Sequence, residues 1–179
     1  MSTDIRVGSG IDVHAFGPGD SLVLGGVRIA HTRGVVAHSD GDVLLHALVD
    51  ALLGAAGLGD IGEHFPDSDP QWKGADSRRF VAAVLAMLER RALRVVNADL
   101  TLLAQQPRLA PWREQIRHSI ATMLGVELQC INLKATTTEH LGFLGRNEGL
   151  MAMATVLLSR GSPAAPRSPG APLSPDAKS

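Results

Sequence analysis

Two short groups of polar residues hold the side chains that could do metal chemistry. Asp12 and His14 are one residue apart on a predicted strand, so their side chains point to the same side of it. A carboxylate and an imidazole placed together can share a metal ion, because both are common zinc ligands. The alternative, which this pair alone favours, is a histidine hydrogen-bonded to a neighbouring aspartate on a solvated surface.

The second group lies on a predicted helix over residues 42–58, which is apolar almost all round and is therefore expected to be buried on most of its surface. Asp42, His46 and Asp50 are spaced four residues apart and share one side of this helix. Buried polar groups need partners. They form either a satisfied network in the core or a metal site, in which Asp50 accepts a hydrogen bond that orients the His46 ring.

Asp12, His14 and His46 would together supply three protein ligands and leave one tetrahedral position open, which is typical of catalytic rather than structural zinc. Cys130 is the only cysteine, which excludes both a disulfide within the chain and a site of the CxxC type. Any metal must therefore be held by histidine and carboxylate. His38, near the start of the helix, is expected to lie beside the same site.

Two further segments are rich in groups that bind substrates or cations. Residues 58–77 carry five acidic groups without a regular period and predict a mobile loop that covers a substrate. Pro70 after Asp69, and the lack of a glutamate at the required offset, exclude a calcium-binding loop here. Residues 136–139 are three threonines and Glu139, which could present hydroxyls to phosphate and a carboxylate to a hard cation. A threonine-rich strand end is the alternative, and the one that such a segment usually favours.

The elements that must position these groups predict an α+β fold, with a mixed β-sheet, helices on one face of it and a β-hairpin. Gly25-Gly26 between two β-branched runs predicts the hairpin, and Ser39 predicts a capping box for the first helix. Gly8-Ser9-Gly10 is not a dinucleotide site, because Val13 stands where the third glycine should be and no helix opens there. The predicted strands are residues 5–13, 95–103, 131–135 and 150–158, and the predicted helices are residues 42–58, 75–92 and 111–124.

The last predicted strand, residues 150–158, has no polar alternation except Thr155, so both of its faces must be covered. A domain of this size with helices on one face has nothing left to cover the other face. Self-association of the chain is therefore expected.

Length and composition limit the remaining possibilities. The 179 residues predict one domain over residues 1–160, followed by a disordered proline-rich tail over residues 161–179, for which a polyproline recognition peptide is the alternative. Seventeen Lys and Arg balance eighteen Asp and Glu without a basic stripe, and aromatic residues are 3%, so nucleic acid is not expected as a partner. No apolar run reaches the roughly 20 residues that cross a membrane, and without a targeting segment a cytoplasmic location is expected.

The chain contains five segments in a characteristic order: GSGIDVHAF, GGVRI, AHSDGDVLLHALVDALLGAAGLGDIGEHFPDSDPQWKGADS, LLAQQPRLAP and KATTTEHLGFLGRNEG. From about Arg6 to Leu158 it closely resembles the 2-C-methyl-D-erythritol 2,4-cyclodiphosphate synthase family of the non-mevalonate isoprenoid pathway. The resemblance implies an enzyme that closes 4-diphosphocytidyl-2-C-methyl-D-erythritol 2-phosphate into a cyclic diphosphate and releases CMP. It also implies a homotrimer with its sheets packed around the three-fold axis, active sites between subunits, and an axial cavity that could take an isoprenoid diphosphate.

The resemblance also assigns roles to individual residues. Asp12, His14 and His46 correspond to the ligands of one Zn2+ per subunit. Glu139 corresponds to the ligand of a second divalent cation, Mg2+ or Mn2+, which binds the substrate diphosphate. His38 and Thr137 correspond to catalytic residues that hold the reacting phosphates. The other implied substrate contacts are Asp60, Gly62, Phe65, Pro66, Asp67, Ser68 and Asp69 around the methylerythritol, Ala104, Gln105, Gln106, Pro107, Arg108 and Thr136 around the cytidine, and Thr138, Phe143 and Arg146 around the phosphates.

Two positions depart from the family pattern, and two other functions are compatible with the same residues. Ser9 stands where a larger polar residue is common, and Gln106 replaces a small residue in the cytidine loop, where it changes little if backbone groups recognise the base. A zinc phosphohydrolase would use the open metal position to activate water. A trimeric small-molecule binding protein would keep the metal site without catalysis, although the full set of site residues argues against it.

Overall fold

The computed structural model describes residues 4–160, and the tail expected over residues 161–179 lies outside them. The strands are β1 (Ile5–Gly17), β2 (Ser21–Leu24), β3 (Val27–Ala30), β4 (Gly34–Val35), β5 (Leu93–Leu103), β6 (Ile131–Thr136) and β7 (Gly149–Arg160). The helices are α1 (Val43–Ala56), α2 (Ile61–His64), α3 (Arg78–Arg90), α4 (Arg113–Leu124) and α5 (Gly142–Gly145). Short 3-10 turns cover Pro70–Trp72 and Leu128–Cys130.

Five strands form one mixed sheet in the order β4-β1-β7-β5-β6, and β2 pairs with β3 in a separate hairpin. β5 and β6 are parallel and the other neighbours are antiparallel, so β1, β5 and β6 run in the same direction. The hairpin turns at Gly25-Gly26, whose φ angles of 58° and 77° are those that a primed turn requires. The α+β class, the mixed sheet and the hairpin are therefore confirmed.

The helices pack on one face of the sheet, as predicted. α1 lies against β1 and β7, α3 against α1 and β5, and α4 against β6 and α3. The core between these layers consists of the buried side of the strands, such as Leu100 on β5 and Leu150 on β7, and of nearly the whole length of α1. No helix within residues 4–160 has the length and hydropathy of a membrane span.

Two glycines allow α1 to lie directly on β1. A Cβ atom at Gly8 would overlap the backbone of Ala51, and one at Gly10 would overlap the backbone of Ala47. Any residue other than glycine at these two positions would therefore push the helix away from the strand. β1 continues through the pair, so no helix opens at Gly8-Ser9-Gly10, as expected.

The start of α1 differs from the prediction. The capping role predicted for Ser39 is wrong, because Asp42 is the N-cap and its carboxylate accepts a hydrogen bond from Leu45 N at 3.0 Å. The same carboxylate accepts from Gly25 N at 2.9 Å and Gly26 N at 2.6 Å, so it joins the hairpin turn to the helix. Asp42 is completely buried, and burial outweighs its backbone hydrogen bonds and raises its pKa to about 6.

The segment between α1 and α3 is more regular than predicted. Residues 58–77, predicted to be a mobile loop, contain α2 and the turn Pro70–Trp72, and Asp60 and Asp69 cap them. α3 begins at Arg78, three residues later than predicted. Ser77, the residue before it, is outside the helix because its N–H and hydroxyl both donate to the carboxylate of Asp40. β4 and α5 were missed because two and four residues are too few to show a period.

The face of the sheet opposite the helices remains apolar and exposed. Alternate residues of β7 are buried under α1, whereas Met153 and Thr155 point the other way and are exposed. The neighbouring residues of β1 include Val7 and Ile11, which are 66% and 53% exposed. The expectation that the last strand lacks cover on one face within a single chain is therefore confirmed.

Replacement of Gly10 tests the close packing of α1 on β1. We expect Gly10→Ala to lower the free energy of unfolding by about 3 kcal/mol, because the methyl group must displace the helix backbone. Gly54→Ala on the same helix is the control: the nearest atom to its new Cβ would be Ser9 O at 3.9 Å. That change should raise stability by about 0.5–1 kcal/mol, the normal gain for alanine in a helix. Urea denaturation followed by circular dichroism measures both, and similar effects of the two changes would contradict close packing at Gly10.

Candidate functional site

Three ligand atoms converge where β1 passes α1. Asp12 Oδ2 lies 3.0 Å from His14 Nε2 and 3.0 Å from His46 Nδ1, and the two histidine nitrogens are 3.1 Å apart. Within residues 4–160 this is the one group of at least three His, Cys, Asp or Glu side chains whose ligand atoms are close enough to hold a metal ion. The three ligands predicted from the sequence are thus brought together in a cluster, here called the metal cluster.

Strand and helix geometry place the metal cluster. Asp12 and His14 continue the row of β1 residues that includes the two close-packed glycines and faces α1. His46 points from α1 toward that row, and its ring also packs against Phe80 of α3 with the ring centroids 5.9 Å apart. The direct contact between helix and strand therefore puts a helix imidazole beside two strand side chains.

The electrostatics of the cluster favour an ionised carboxylate. Burial by itself raises the pKa of Asp12, but hydrogen bonds with His14 and His46 and their charge lower it well below its usual range. Burial likewise lowers the pKa of His46, and the hydrogen bond and charge of Asp12 outweigh this and raise it. Asp12 Oδ1 accepts from Val13 N at 2.9 Å, which fixes the orientation of the carboxylate. The site therefore favours positive charge between the carboxylate and the imidazoles.

The donor set fits a divalent metal ion. Tetrahedral zinc with bonds of about 2.0–2.1 Å to nitrogen and oxygen needs ligand atoms about 3.3 Å apart. The three contacts of the metal cluster measure 3.0–3.1 Å, close to that spacing. Two imidazole nitrogens and one carboxylate oxygen are also ligands that zinc accepts readily. The residues present could thus hold the ion with little movement.

The metal cluster lines an open cleft of about 510 Å3. His38 and Asp67 line the same cleft, with His38 Nε2 3.7 Å from Asp67 Oδ2, and both side chains are exposed. Three more predicted substrate contacts, Gly62, Phe65 and Pro66, also line it. His38, the histidine predicted to hold phosphate, therefore lies in the same cleft as the metal cluster.

Three other predicted residues of the methylerythritol loop do not line this cleft. Asp60 accepts from Glu63 N at 3.0 Å, and Asp69 accepts from Gln71 N at 3.0 Å, so both carboxylates cap local turns. Ser68 is exposed. Within one chain, the loop therefore contributes Phe65, Pro66 and Asp67 to the cleft but not the two residues that follow.

Asp50 does not have the predicted role. Its Oδ1 accepts from Ile61 N at 2.8 Å, at the start of α2, instead of contacting the His46 ring. The far nitrogen of that ring, Nε2, lies 3.1 Å from Ser39 Oγ and 2.9 Å from Ser77 Oγ. The prediction of Asp50 as the acceptor is wrong because its carboxylate is used by the neighbouring helix. Spacing along the sequence gave no signal for Ser77, which is 31 residues from His46.

The second predicted group lies at the end of β6. Ala104 N donates to Thr136 O at 3.1 Å, so the predicted cytidine segment, residues 104–108, adjoins the threonines. Thr137 Oγ1 donates to Glu139 Oε1 at 3.1 Å, and Glu139 N donates to Thr137 Oγ1 at 3.2 Å. Thr137 and Glu139 are exposed, and Thr138 is half-buried. They form a second surface of hydroxyls and one carboxylate, separate from the metal cluster.

Strand register gives the distance between the two groups. Asp12 is opposite Ala152, which is opposite Leu102, which is opposite Ala135, so all four lie on one line across the sheet. β1 and β6 are separated by three strand spacings, about 14 Å at about 4.8 Å each. None of residues 104–108 or 136–139 lines the cleft of the metal cluster. The two groups thus share one edge of the sheet without forming one site in a single chain.

Phe143 and Arg146 are also outside the cleft. Phe143 belongs to α5 and is partly exposed, and Arg146 Nε donates to Glu148 Oε1 at 2.7 Å. The hydrogen bond and the charge of Arg146 lower the pKa of Glu148. Within one chain these two residues are therefore not brought to the metal cluster.

The two histidines and the carboxylate form a candidate metal site beside an open cleft in an α+β domain, an arrangement typical of metal-dependent enzymes. Residues 5–159 match the YgbB family, and the chain belongs to that family. It is 56% identical to the 2-C-methyl-D-erythritol 2,4-cyclodiphosphate synthase of Xanthomonas axonopodis pv. citri over 160 residues, 89% of this chain and 96% of that protein. The resemblance stated from the sequence motifs is confirmed.

Solved structures have the same fold. The bifunctional IspDF of Campylobacter jejuni matches with a TM-score of 0.86 and 44% identity, covering 89% of this chain but only 43% of that longer chain. The CDP complex of IspF from Plasmodium falciparum matches with a TM-score of 0.78 and 33% identity, covering 88% of this chain and 97% of that one. The likeness therefore extends over nearly all of the chain that the structure describes.

Removal of one ligand tests the metal cluster. We expect Asp12→Asn to weaken Zn2+ binding at least about 100-fold, because loss of a ligand costs more than loss of a residue that merely supports one. Competition with a chromophoric chelator measures the affinity, and the melting temperature reports whether the fold is retained. Asp20→Asn, which changes an exposed carboxylate beside β2, is the control and should bind zinc like the unaltered protein. Equal affinities for all three proteins would exclude Asp12 as a ligand.

Proposed function

We propose that this protein converts 4-diphosphocytidyl-2-C-methyl-D-erythritol 2-phosphate into 2-C-methyl-D-erythritol 2,4-cyclodiphosphate, in isoprenoid precursor biosynthesis. An oxygen of the 2-phosphate attacks the β-phosphorus, the bond from that phosphorus to the bridging oxygen breaks, and CMP leaves with the electron pair. The observation that carries the proposal is the metal cluster in its cleft, in a chain of this family. The name of the Xanthomonas relative and the CDP bound to the Plasmodium structure support the same substrate class.

The reaction requires positioning and local positive charge, because the attacking oxygen belongs to the substrate. A protein of formal net charge −1 cannot attract a substrate with three phosphates through its overall field. We assign the metal cluster to one Zn2+ per chain, which would supply that charge and polarise a phosphate oxygen when bound. Asp12 contributes by staying ionised, since its pKa is held low by the two histidines.

We assign His38 to hold a reacting phosphate from the side of the cleft. Its ring is exposed toward the cleft that the metal cluster also lines, so an anion there can accept a hydrogen bond from it. Asp67 Oδ2 at 3.7 Å gives the ring a second polar neighbour on the loop that bounds the cleft. The methylerythritol would then lie against Gly62, Phe65 and Pro66.

Glu139 is the residue that we assign to a second divalent cation, Mg2+ or Mn2+. Its carboxylate is exposed and accepts a hydrogen bond from Thr137 Oγ1, which holds it next to a hydroxyl that can bind phosphate. Magnesium keeps several waters and leans on one or two carboxylates together with substrate phosphates. One exposed glutamate beside phosphate-binding hydroxyls is therefore a sufficient protein contribution.

We also propose a homotrimer in which each active site lies between two chains. The metal cluster and the residues at the end of β6 are about 14 Å apart in one chain, too far for both to hold the same phosphate. A neighbouring chain could bring its own Thr137 and Glu139, with its cytidine segment at residues 104–108, to the metal cluster. The exposed apolar face that includes Val7, Ile11 and Met153 supports such association. Phe143 and Arg146 would then bind phosphate near the axis, where an isoprenoid diphosphate could also be held.

Replacement of Glu139 tests the second cation. We expect Glu139→Gln to keep zinc and the fold yet to lose roughly 10–100-fold in the rate of CMP release, because the neutral amide binds a hard cation poorly. High Mg2+ or Mn2+ should restore part of that rate, since the weakened site can be filled by mass action. A metal titration of CMP release, with identification of the cyclic product, measures this.

Glu89→Gln on the exposed surface of α3 is the matched control and should behave as the unaltered protein at every metal concentration. A flat response of Glu139→Gln to added metal would instead indicate a general base, as a phosphohydrolase would require. Incorporation of oxygen from labelled water into the product would also reject the cyclisation.

A charged residue on the apolar face tests the assembly. We expect Met153→Glu to prevent trimer formation and to abolish CMP release, because burial of an unpaired carboxylate in an apolar interface costs several kcal/mol or more. Ala86→Glu, on the exposed side of α3, is the control and should remain trimeric and active. Sedimentation velocity measures the mass. A fully active monomer, or a trimer unaffected by Met153→Glu, would contradict the proposed assembly.

A further inference from the structure

Two residues behind the metal cluster hold the far side of the His46 ring. His46 Nε2 lies 2.9 Å from Ser77 Oγ. Ser77 Oγ donates to Asp40 Oδ1 at 2.5 Å, and Ser77 N donates to Asp40 Oδ2 at 3.1 Å. Ser77 is completely buried, so water does not compete for its hydroxyl. A row of hydrogen bonds therefore leads from the imidazole that faces the cluster to a carboxylate.

The direction of these hydrogen bonds follows from the chemistry of each group. A carboxylate only accepts, and Asp40 accepts from the N–H groups of Ser77 and Asp42 in addition to the Ser77 hydroxyl. The hydroxyl thus gives its proton to Asp40 and offers a lone pair to the ring. Nε2 must then carry a ring proton, so Nδ1, which faces Asp12 and His14, is the nitrogen that can give up its proton to a bound metal ion.

Helix capping does not account for the Ser77 hydroxyl. Ser77 is the N-cap residue of α3, a position where a serine oxygen ordinarily accepts a hydrogen bond from the second or third helical N–H. Its side chain makes no such bond. The preceding residue, Asp76, accepts from Arg78 N at 2.9 Å instead. The hydroxyl is therefore committed to His46 and Asp40.

We propose that Asp40 and Ser77 are positioning residues that hold His46 as its Nε2–H tautomer, so that Nδ1 stays available to a metal ion. The inference rests on the metal site of the proposed function. A metal-binding imidazole needs an unprotonated nitrogen aimed at the ion, and a partner on the other nitrogen sets the tautomer and the ring orientation. Ser39 Oγ, 3.1 Å from the same nitrogen, accepts from Gly41 N and has no such carboxylate to direct it in the described hydrogen bonds.

Asp40→Asn is the sharpest test because it keeps the size of the side chain and replaces an acceptor oxygen by a donor amide. The amide can donate to Ser77, whose hydroxyl then donates to Nε2, and the ring proton moves to Nδ1, where it blocks the metal. We expect Zn2+ affinity to fall about 10–100-fold, as for loss of other partners that support a ligand. Ser77→Ala removes the bond altogether and should weaken binding by a similar factor.

Two measurements on the full chain separate this role from simple support of the fold. Competition with a chromophoric chelator gives the Zn2+ affinity. Long-range proton–nitrogen correlation spectra of the metal-free protein at alkaline pH, recorded in an Asp12→Ala background so that this carboxylate no longer accepts from Nδ1, give the tautomer. The signals of His46 are those absent from His46→Gln. In that background we expect Nε2–H when Asp40 is intact and a shift toward Nδ1–H when Asp40→Asn is added.

Two controls change neighbouring groups without reversing the hydrogen bonds. Asp76→Asn disturbs the same start of α3, and Ser39→Ala removes the other hydroxyl near Nε2. Both should keep the Zn2+ affinity within about threefold and leave the tautomer unchanged. Equal losses in Asp76→Asn and Asp40→Asn would overturn the proposal, because the effect would then be one of helix stability.

The remaining outcomes are also decisive. Unchanged affinity and tautomer in Asp40→Asn and Ser77→Ala would overturn the positioning role, and if Ser77→Ala does not fold, Asp40→Asn alone decides. An unaltered protein that binds no zinc would reject the metal site of the proposed function. Tight binding by the unaltered protein with unchanged variants would reject only the inference about Asp40 and Ser77.

Discussion

The contact between the α1 backbone and β1 is the constraint on which the candidate site depends. At Gly8 and Gly10 the helix lies so close to the strand that a Cβ atom would overlap its backbone. His46 is on this helix, and its Nδ1 reaches within 3.0 Å of Asp12 Oδ2. A metal ligand must be held to within about 0.5 Å, less than the shift that a methyl group between helix and strand would cause. The two glycines are therefore as necessary to the metal cluster as the ligands themselves.

Two carboxylates near the start of α1, the buried Asp42 and the half-buried Asp40, fix the position of the helix along the direction of β1. The glycines do not restrain the helix in that direction. Asp42 joins the first turn of α1 to the hairpin, and Asp40 joins the loop before it to the start of α3. Sliding of the helix along β1 would break these hydrogen bonds and leave acceptors unpaired in the interior, which costs about 1–3 kcal/mol for each. The raised pKa of Asp42, about 6, reflects how strongly this carboxylate is removed from water. The glycines thus set the distance between helix and strand, and the carboxylates set the register.

Local periodicity could predict the ligands, and its limits explain what was missed. The strand period of two put Asp12 and His14 on one side, and the apolar helix indicated that His46 is buried, so the cluster followed from the spacing of residues. The helical period of four also grouped Asp42 and Asp50 with His46. Asp42 instead joins the hairpin turn to the start of α1, and Asp50 accepts a hydrogen bond from the start of α2. Periodicity tells which side of a helix a residue occupies but not which neighbouring element lies there. Ser77 belongs to a segment without a period, so its hydroxyl contact with His46 is a property of tertiary packing alone.

The sheet that holds the metal cluster also keeps one chain from completing the proposed site. Hydrogen bonding between strands fixes their separation, so β1, which carries Asp12 and His14, stays about 14 Å from β6, whose end leads to Glu139. In the proposed assembly a second copy of the chain would supply the missing half without deforming the sheet. The exposed apolar residues of β1 and β7 lie on the face opposite the helices, where the proposed association would hide them. If the site forms in this way, substrate that contacts both chains binds the assembly more tightly than a single chain. By mass action, substrate would then stabilise the trimer, and catalysis and assembly would be linked.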